Sequence, residues 1–188
     1  MENQFWVLLA VVAVSVLTLS FFIFRYYRRN HHQRQINKFI KDLSREQLRD
    51  VLLPDSVNGE IWIDCVLLTD GGLIVVDIRD YIGRLFGGEK INEWTQMIGA
   101  KSHKFENPLI ELPARISAVQ EIVGDVPVIG HVVFTHRGTF PKGKPEDVFM
   151  VDEVYEQLSG FLRPALPKEH LDMAWKKLLA VQKQVNSL

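Results

Sequence analysis

The sequence predicts an α/β body of mixed sheet and helices, preceded by one N-terminal transmembrane helix. Three observations predict it. Phe5 to Phe24 is an apolar run of 20 residues without a charge. Two runs rich in Ile, Val and Leu flank Asp70-Gly71-Gly72. Helical and strand-like periods then alternate to the end of the chain, which is the pattern of layered α/β folds. Of the 188 residues, 47% are hydrophobic and 24% charged, and Cys65 is the sole cysteine, so disordered and disulfide-scaffold classes are excluded.

At about 1.5 Å per residue, the first run reaches roughly 30 Å as a helix, the thickness of a bilayer core. Met1-Glu2-Asn3-Gln4 carries no positive charge, and the exit at Phe24-Arg25 has no small-residue cleavage site, so a retained anchor is expected at residues 5–24. Arg25, Arg28, Arg29 and Arg34 follow the span directly. Positive residues stay inside, which places the N-terminus outside and the C-terminal body in the cytoplasm of a cell inner membrane. Trp6, Tyr26 and Tyr27 fall where interfacial aromatics belong. Residues 25–53 form a basic stalk with leading helices. Between Arg25 and Arg49 eight basic residues face two acidic ones, a net of +6, which suits anionic membrane lipids. From Asp50 onward fourteen basic residues face twenty acidic ones, a net of -6. A protein gripping long stretches of nucleic acid usually presents the opposite sign.

After the stalk, Ile36, Phe39, Ile40 and Leu43, then Leu48, Val51 and Leu52, recur at helical spacing. Ser44 and Gln47 read as a capping box, which predicts two short helices, or one kinked helix, before Pro54. Ile61–Thr69 and Leu73–Arg79 read as a hairpin. Gly83, Gly87, Gly88 and Trp94 mark an irregular stretch. A helix is expected from near Pro113, a buried strand over Val128–Thr135 and a short strand over Val148–Val151. Asp152 reads as the N-cap of a helix through Leu162. Pro167 opens a last helix with apolar positions Leu171, Ala174, Trp175, Leu178 and Val185. Residues 164–188 form this C-terminal unit.

Charge inside the hairpin is the most informative feature. Asp64 interrupts one apolar run and Asp77 the other, and strand alternation puts Asp77 and Arg79 on one face. With Asp70-Gly71 as the turn, Asp64 lies directly across from Asp77. With Gly71-Gly72 as the turn, Asp64 faces Arg79 and Asp77 is diagonal. Either way two carboxylates between apolar runs need a compensating cation. A divalent metal supplies one, with oxygen ligands suited to Mg²⁺ or Mn²⁺. Alternatively, Arg79 neutralises the pair as a structural salt bridge. His103, His131, His136 and His170 lack ligand spacing, and His31 and His32 belong to the stalk. No phosphate-binding glycine motif occurs. Cys65 lies in an apolar strand and is expected to pack. Packing is also the expectation for Trp62, Trp94 and Trp175, with base stacking the alternative. Lys101, Lys104, Arg115, Arg137, Lys142 and Lys144 read as solvated faces, with a local phosphate site as the alternative.

Ile63-Asp64, Gly72-Leu73-Ile74-Val75-Val76-Asp77-Ile78-Arg79, Tyr81-Ile82-Gly83, Gly88, Trp94 and Lys104-Phe105-Glu106-Asn107-Pro108-Leu109 together resemble the nuclease-related domain (NERD) family of the PD-(D/E)xK nuclease superfamily. The resemblance covers roughly Pro54 to Leu158 and gives residues 54–163 as the domain. It implies a restriction-endonuclease-like core, a mixed sheet flanked by helices, with Mg²⁺- or Mn²⁺-dependent hydrolysis of DNA or RNA. It makes Asp64 and Asp77 the metal ligands and Asp64, Asp77 and Arg79 the catalytic set, with Arg79 standing where the motif has lysine. A guanidinium stays protonated where a lysine can shift its pKa. Lys90, Lys101 or Lys104 is then a candidate substitute, Glu46 or Glu60 a candidate third acid, and Glu111 stands where the pattern often has Gln. The competing expectation is a catalytically inactive, membrane-tethered binding or scaffold module in which Arg79 replaces the metal.

Overall fold

A computed structural model describes residues 16, 18–22, 36–54, 59–164 and 166–185. The chain divides into two compact units, Met1–Asn37 and Lys38–Leu188. In the first, residues 16 and 18–22 are helical, and Val16, Leu19, Phe21 and Phe22 are exposed. The rest of the expected membrane span at 5–24, and His31 and His32, lie outside the described residues. Among the described residues no helix is long and apolar enough to cross a membrane.

The second unit opens in helix α1, described over 36–43, which buries Phe39, Ile40 and Leu43. Ser44 ends it. Its N–H and its hydroxyl both donate to the Ile40 carbonyl, at 3.1 and 2.6 Å. The expected capping box is therefore corrected: Ser44 closes a helix and starts none. The expected second helix is corrected too, because Glu46–Pro54 is strand β1. Leu48, Val51 and Leu52 fit a helical period, but β1 buries Val51 and Leu53 and pairs along its length with β2, Glu60–Leu68. Tertiary pairing overrides local periodicity in so short a segment.

β2 turns into β3, Leu73–Arg79, with Cys65 opposite Val76 and Leu68 opposite Leu73. This is the Asp70-Gly71 register. Thr69 closes the turn, its N–H and hydroxyl both donating to the Gly72 carbonyl at 2.9 and 2.8 Å. β3 pairs in parallel with β7, Val128–Phe134, which pairs in parallel with β9, Val148–Met150. The result is a mixed five-stranded sheet in the order β1-β2-β3-β7-β9. Helix α2, Leu112–Val123, packs over β7 and its neighbours, and α4, Lys168–Val185, packs on α2 and β1. As expected, α4 buries Leu171, Ala174, Trp175 and Leu178; the Val185 side chain lies outside the described residues.

The stretch expected to be irregular holds most of a second sheet. Its strands are β4 (Gly83–Phe86), β5 (Glu93–Ile98), β6 (Lys101–Glu106) and β8 (Gly138–Thr139), in the order β6-β5-β4-β8. These strands are short, and their polar outer faces hide the alternation. The inner face stacks Trp94 on Phe134 and Tyr81 on Phe105, with ring centroids 6.2 and 4.3 Å apart. Gly87 lies so close beneath Trp94 that a Cβ there would fall 2.2 Å from the indole. Helix α3 is shorter than expected, Val154–Leu158, and Glu153 rather than Asp152 is its N-cap. The Glu153 carboxylate accepts the Met150 N–H, while Asp152 sits 3.6 Å from His136.

Candidate active site

Asp64 sits where two strand ladders break. β1 and β2 keep one register on either side of Asp50 and Asp64, but those two residues are not paired, and Asp50 takes a positive φ of 51°. The β2–β3 pairing stops at Cys65 and Val76. Local ladder irregularities re-aim side chains. Here the Asp64 carboxylate turns along the sheet and accepts the Ile78 N–H at 2.8 Å.

Asp77 is 1% exposed, near the C-terminal end of β3. Its Oδ2 accepts from Arg79 Nη2 at 2.7 Å and from Arg115 Nη1 at 2.6 Å. Its Oδ1 is buried and no N–H reaches it, and the Asp64 carboxyl beside it hydrogen-bonds Asp77 when it carries a proton. Burial raises the Asp64 carboxyl above its ordinary value. The Ile78 N–H opposes that rise, and the hydrogen bond and negative charge of Asp77 reinforce it. Burial pulls the Arg79 guanidinium down, but Asp77 and Asp64 more than offset it, so Arg79 stays charged. Arg79 Nε is itself buried without a partner.

Arg115 is the residue that sequence reasoning underrated. Expected on a solvated face, it is buried in α2 and ties the helix to both acidic strands. Its Nε donates to the Trp62 carbonyl at 2.9 Å, Nη1 to Asp77, and Nη2 to Glu111 at 2.5 Å. The Glu111-to-Arg115 spacing of four on one helix face was the available signal. Three carboxylates (Asp64, Asp77, Glu111) thus meet two guanidiniums, leaving one formal negative charge in excess.

The other candidates lie elsewhere. Lys104 pairs with Glu93 at the surface, 2.8 Å apart, and neither Lys90 nor Lys101 bonds Asp77. Glu46 accepts the Trp175 indole N–H at 2.7 Å, at the far end of β1, and Glu60 is exposed opposite Pro54. Trp94 and Trp175 are core residues, whereas Trp62 is 49% exposed. Cys65 is fully buried, and burial pushes its thiol up to about 12.

The profile of the nuclease-related domain matches residues 28–135, more than half of the chain. The chain belongs to the NERD family. The match starts ahead of β1 and carries Asp64, Asp77, Arg79, Glu111 and Arg115. NERD domains belong to the PD-(D/E)xK-like nuclease superfamily, whose members usually use divalent metals. The chain is also similar to an uncharacterized protein of Bacillus anthracis, 32% identical over 76 residues, which cover 40% of this chain and 36% of that protein. The aligned part is thus little more than a third of that relative's length.

The residues present fit one hard divalent cation. Among the described residues no three carboxylate, imidazole or thiol groups converge as a metal cage. Mg²⁺ does not need one, because it keeps waters and takes one or two carboxylates plus substrate phosphate. Asp77 Oδ1, buried beside Asp64 and reached by no N–H, is the oxygen that would take such a cation.

Proposed function

We propose that this NERD protein hydrolyses phosphodiester bonds of DNA or RNA, with a divalent cation, Mg²⁺ or Mn²⁺, held by Asp64 and Asp77. The observation that carries the reading is a buried Asp77 Oδ1 that no N–H reaches, next to a second buried carboxyl, Asp64, whose pKa is raised. Two close, desolvated carboxylates with one free oxygen are a cation deficit. The chemistry a bound divalent ion supplies is polarisation of the phosphate and activation of a water. The chain's own residues prepare for it. Arg79 and Arg115 hold Asp77 by one oxygen and leave the other free. Arg79, about a third exposed and permanently charged, offers its remaining donors to phosphate. It cannot act as a base. We further propose that residues 5–24 anchor the chain in a cell inner membrane, that the basic stalk meets anionic lipids and that the domain faces the cytoplasm.

A second reading is favoured by the two guanidiniums on Asp77 Oδ2: a catalytically inactive tethered module in which arginines do the metal's electrostatic work. The purified full chain in detergent, given Mg²⁺ or Mn²⁺ and single- and double-stranded DNA and RNA, separates the two. The nuclease reading expects cleavage that disappears in Asp64→Asn and in Asp77→Asn. Absence of cleavage across metals and substrates contradicts it, and equal activity in the variants assigns the cleavage to a contaminant.

A further inference from the structure

The outer face of the four-stranded sheet is a second place where this acidic body presents cations. Leu85 and Trp94 are fully buried on the inner face, so their strand neighbours point outward. The ladders align Ser102, Met97, Arg84 and Thr139 in one row across β6, β5, β4 and β8, and Lys104, Thr95 and Phe86 in the next. Arg84, Lys104, Ser102 and Thr139 are exposed, and Phe86, Thr95 and Met97 half-buried. Lys142 Nζ lies over the Phe86 ring, 5.9 Å from its centroid. Lys104 is offset by Glu93, which leaves Arg84 and Lys142 as the cations flanking the ring. β4 begins four residues after Arg79, so this face adjoins the chain segment that leaves the acidic centre.

We infer that this face binds the backbone of single-stranded nucleic acid, with Arg84 and Lys142 on phosphates and a base taking the place over the Phe86 ring that Lys142 holds in the free chain. An aromatic ring ringed by cations and by the hydroxyls of Thr95, Ser102 and Thr139 suits that ligand, since stacking tolerates any base and phosphates need the charge. A duplex hides its bases from such a ring. The contrast in charge favours the assignment. The chain from Asp50 onward is net -6, whereas this face sets Arg84, Lys104 and Lys142 against Glu93 and Glu106, so the cations beside a half-buried aromatic are a local reversal of the field that would otherwise repel phosphate. The inference rests on the nucleic-acid reading of the domain and is independent of cleavage.

The test is fluorescence anisotropy of a labelled single-stranded 20-nucleotide DNA, and of its duplex, with the full chain in zwitterionic detergent and EDTA. Without metal, binding is measured whether or not the acidic centre hydrolyses anything. The expected result is tighter binding of the single strand. Arg84→Gln with Lys142→Gln weakens it at least tenfold and lowers the salt slope by about 1.4, and Phe86→Ala weakens it about tenfold with the slope unchanged. Lys176→Gln with Lys177→Gln, on exposed positions of α4, leaves it unaltered. Equal binding by the wild type and the Arg84 and Lys142 variant, which would place binding on the basic stalk, overturns the inference. So does preference for the duplex.

Discussion

Two buried polar clusters of this domain resemble each other in position and differ in completeness. Asn107, 1% exposed, donates its amide to the carbonyls of Gly88, Glu89 and Ile91 at 3.3, 3.2 and 2.8 Å and accepts the Leu109 N–H at 2.9 Å. It is neutral and fully used. Asp77, equally buried, has one oxygen with two guanidiniums, while no N–H reaches the other and a second acid, Asp64, lies beside it. A saturated neutral cluster holds loops together, as Asn107 pins the Gly88–Ile91 loop to the start of the segment leading into α2. A charged cluster that ends on an orphan oxygen costs stability until something arrives. On the proposed reading the first cluster is structural and the second is the metal site.

The largest expected effect breaks the complete cluster. Asn107→Ala takes a donor from the Glu89 and Ile91 carbonyls and an acceptor from the Leu109 N–H, the Gly88 carbonyl keeping the Trp94 indole, and is expected to cost about 3 kcal/mol of stability, read as a lowered thermal transition of the full chain in detergent. Asn107→Asp, with no amide donors, should be at least as damaging. A loss within 1 kcal/mol would mean that water replaces the amide and that the comparison fails.

The incomplete cluster should respond in the opposite direction. Because the Asp64 carboxyl is raised above the ordinary value of 3.8, the folded chain holds that proton more tightly than the unfolded chain does. This contribution is full below the unfolded value and is lost as pH rises through the folded one. Asp64→Asn, a permanent mimic of the protonated form, is therefore expected to be more stable than the wild type at neutral pH in EDTA. The advantage should shrink as pH falls toward 4. Denaturant titrations of both proteins across that range check it. A variant less stable than the wild type at pH 7 would show that the Ile78 hydrogen bond outweighs the repulsion by Asp77.

The same contrast explains what could be read beforehand. The β2–β3 hairpin, β7 and α4 were legible because long apolar runs and the Asp-Gly-Gly turn carry their own periods. That Asp77 and Arg79 share one face followed from strand alternation alone, and their ion pair was one of two expectations for that face. β1 was misread because Leu48, Val51 and Leu52 satisfy two periods and only pairing with β2 decides between them. The second sheet was missed because Lys101–Glu106 is exposed at every position but Phe105 and has no apolar rhythm. Arg115 was hidden for a different reason. Two of its three partners, Trp62 and Asp77, lie on strands 53 and 38 residues away, and a buried arginine on an amphipathic helix looks like a solvated one until the acid it meets is known.

The central claim is that Asp77 Oδ1 and Asp64 await a divalent cation. Calorimetric titration of Mn²⁺ into the metal-free full chain tests it most directly, with Asp77→Asn and Arg79→Lys alongside. The account predicts saturable binding at one site in the wild type, weakened at least a hundredfold in Asp77→Asn and retained in Arg79→Lys. No binding in the wild type, with binding gained in Arg79→Lys, would contradict it and show that the arginine has taken the metal's place.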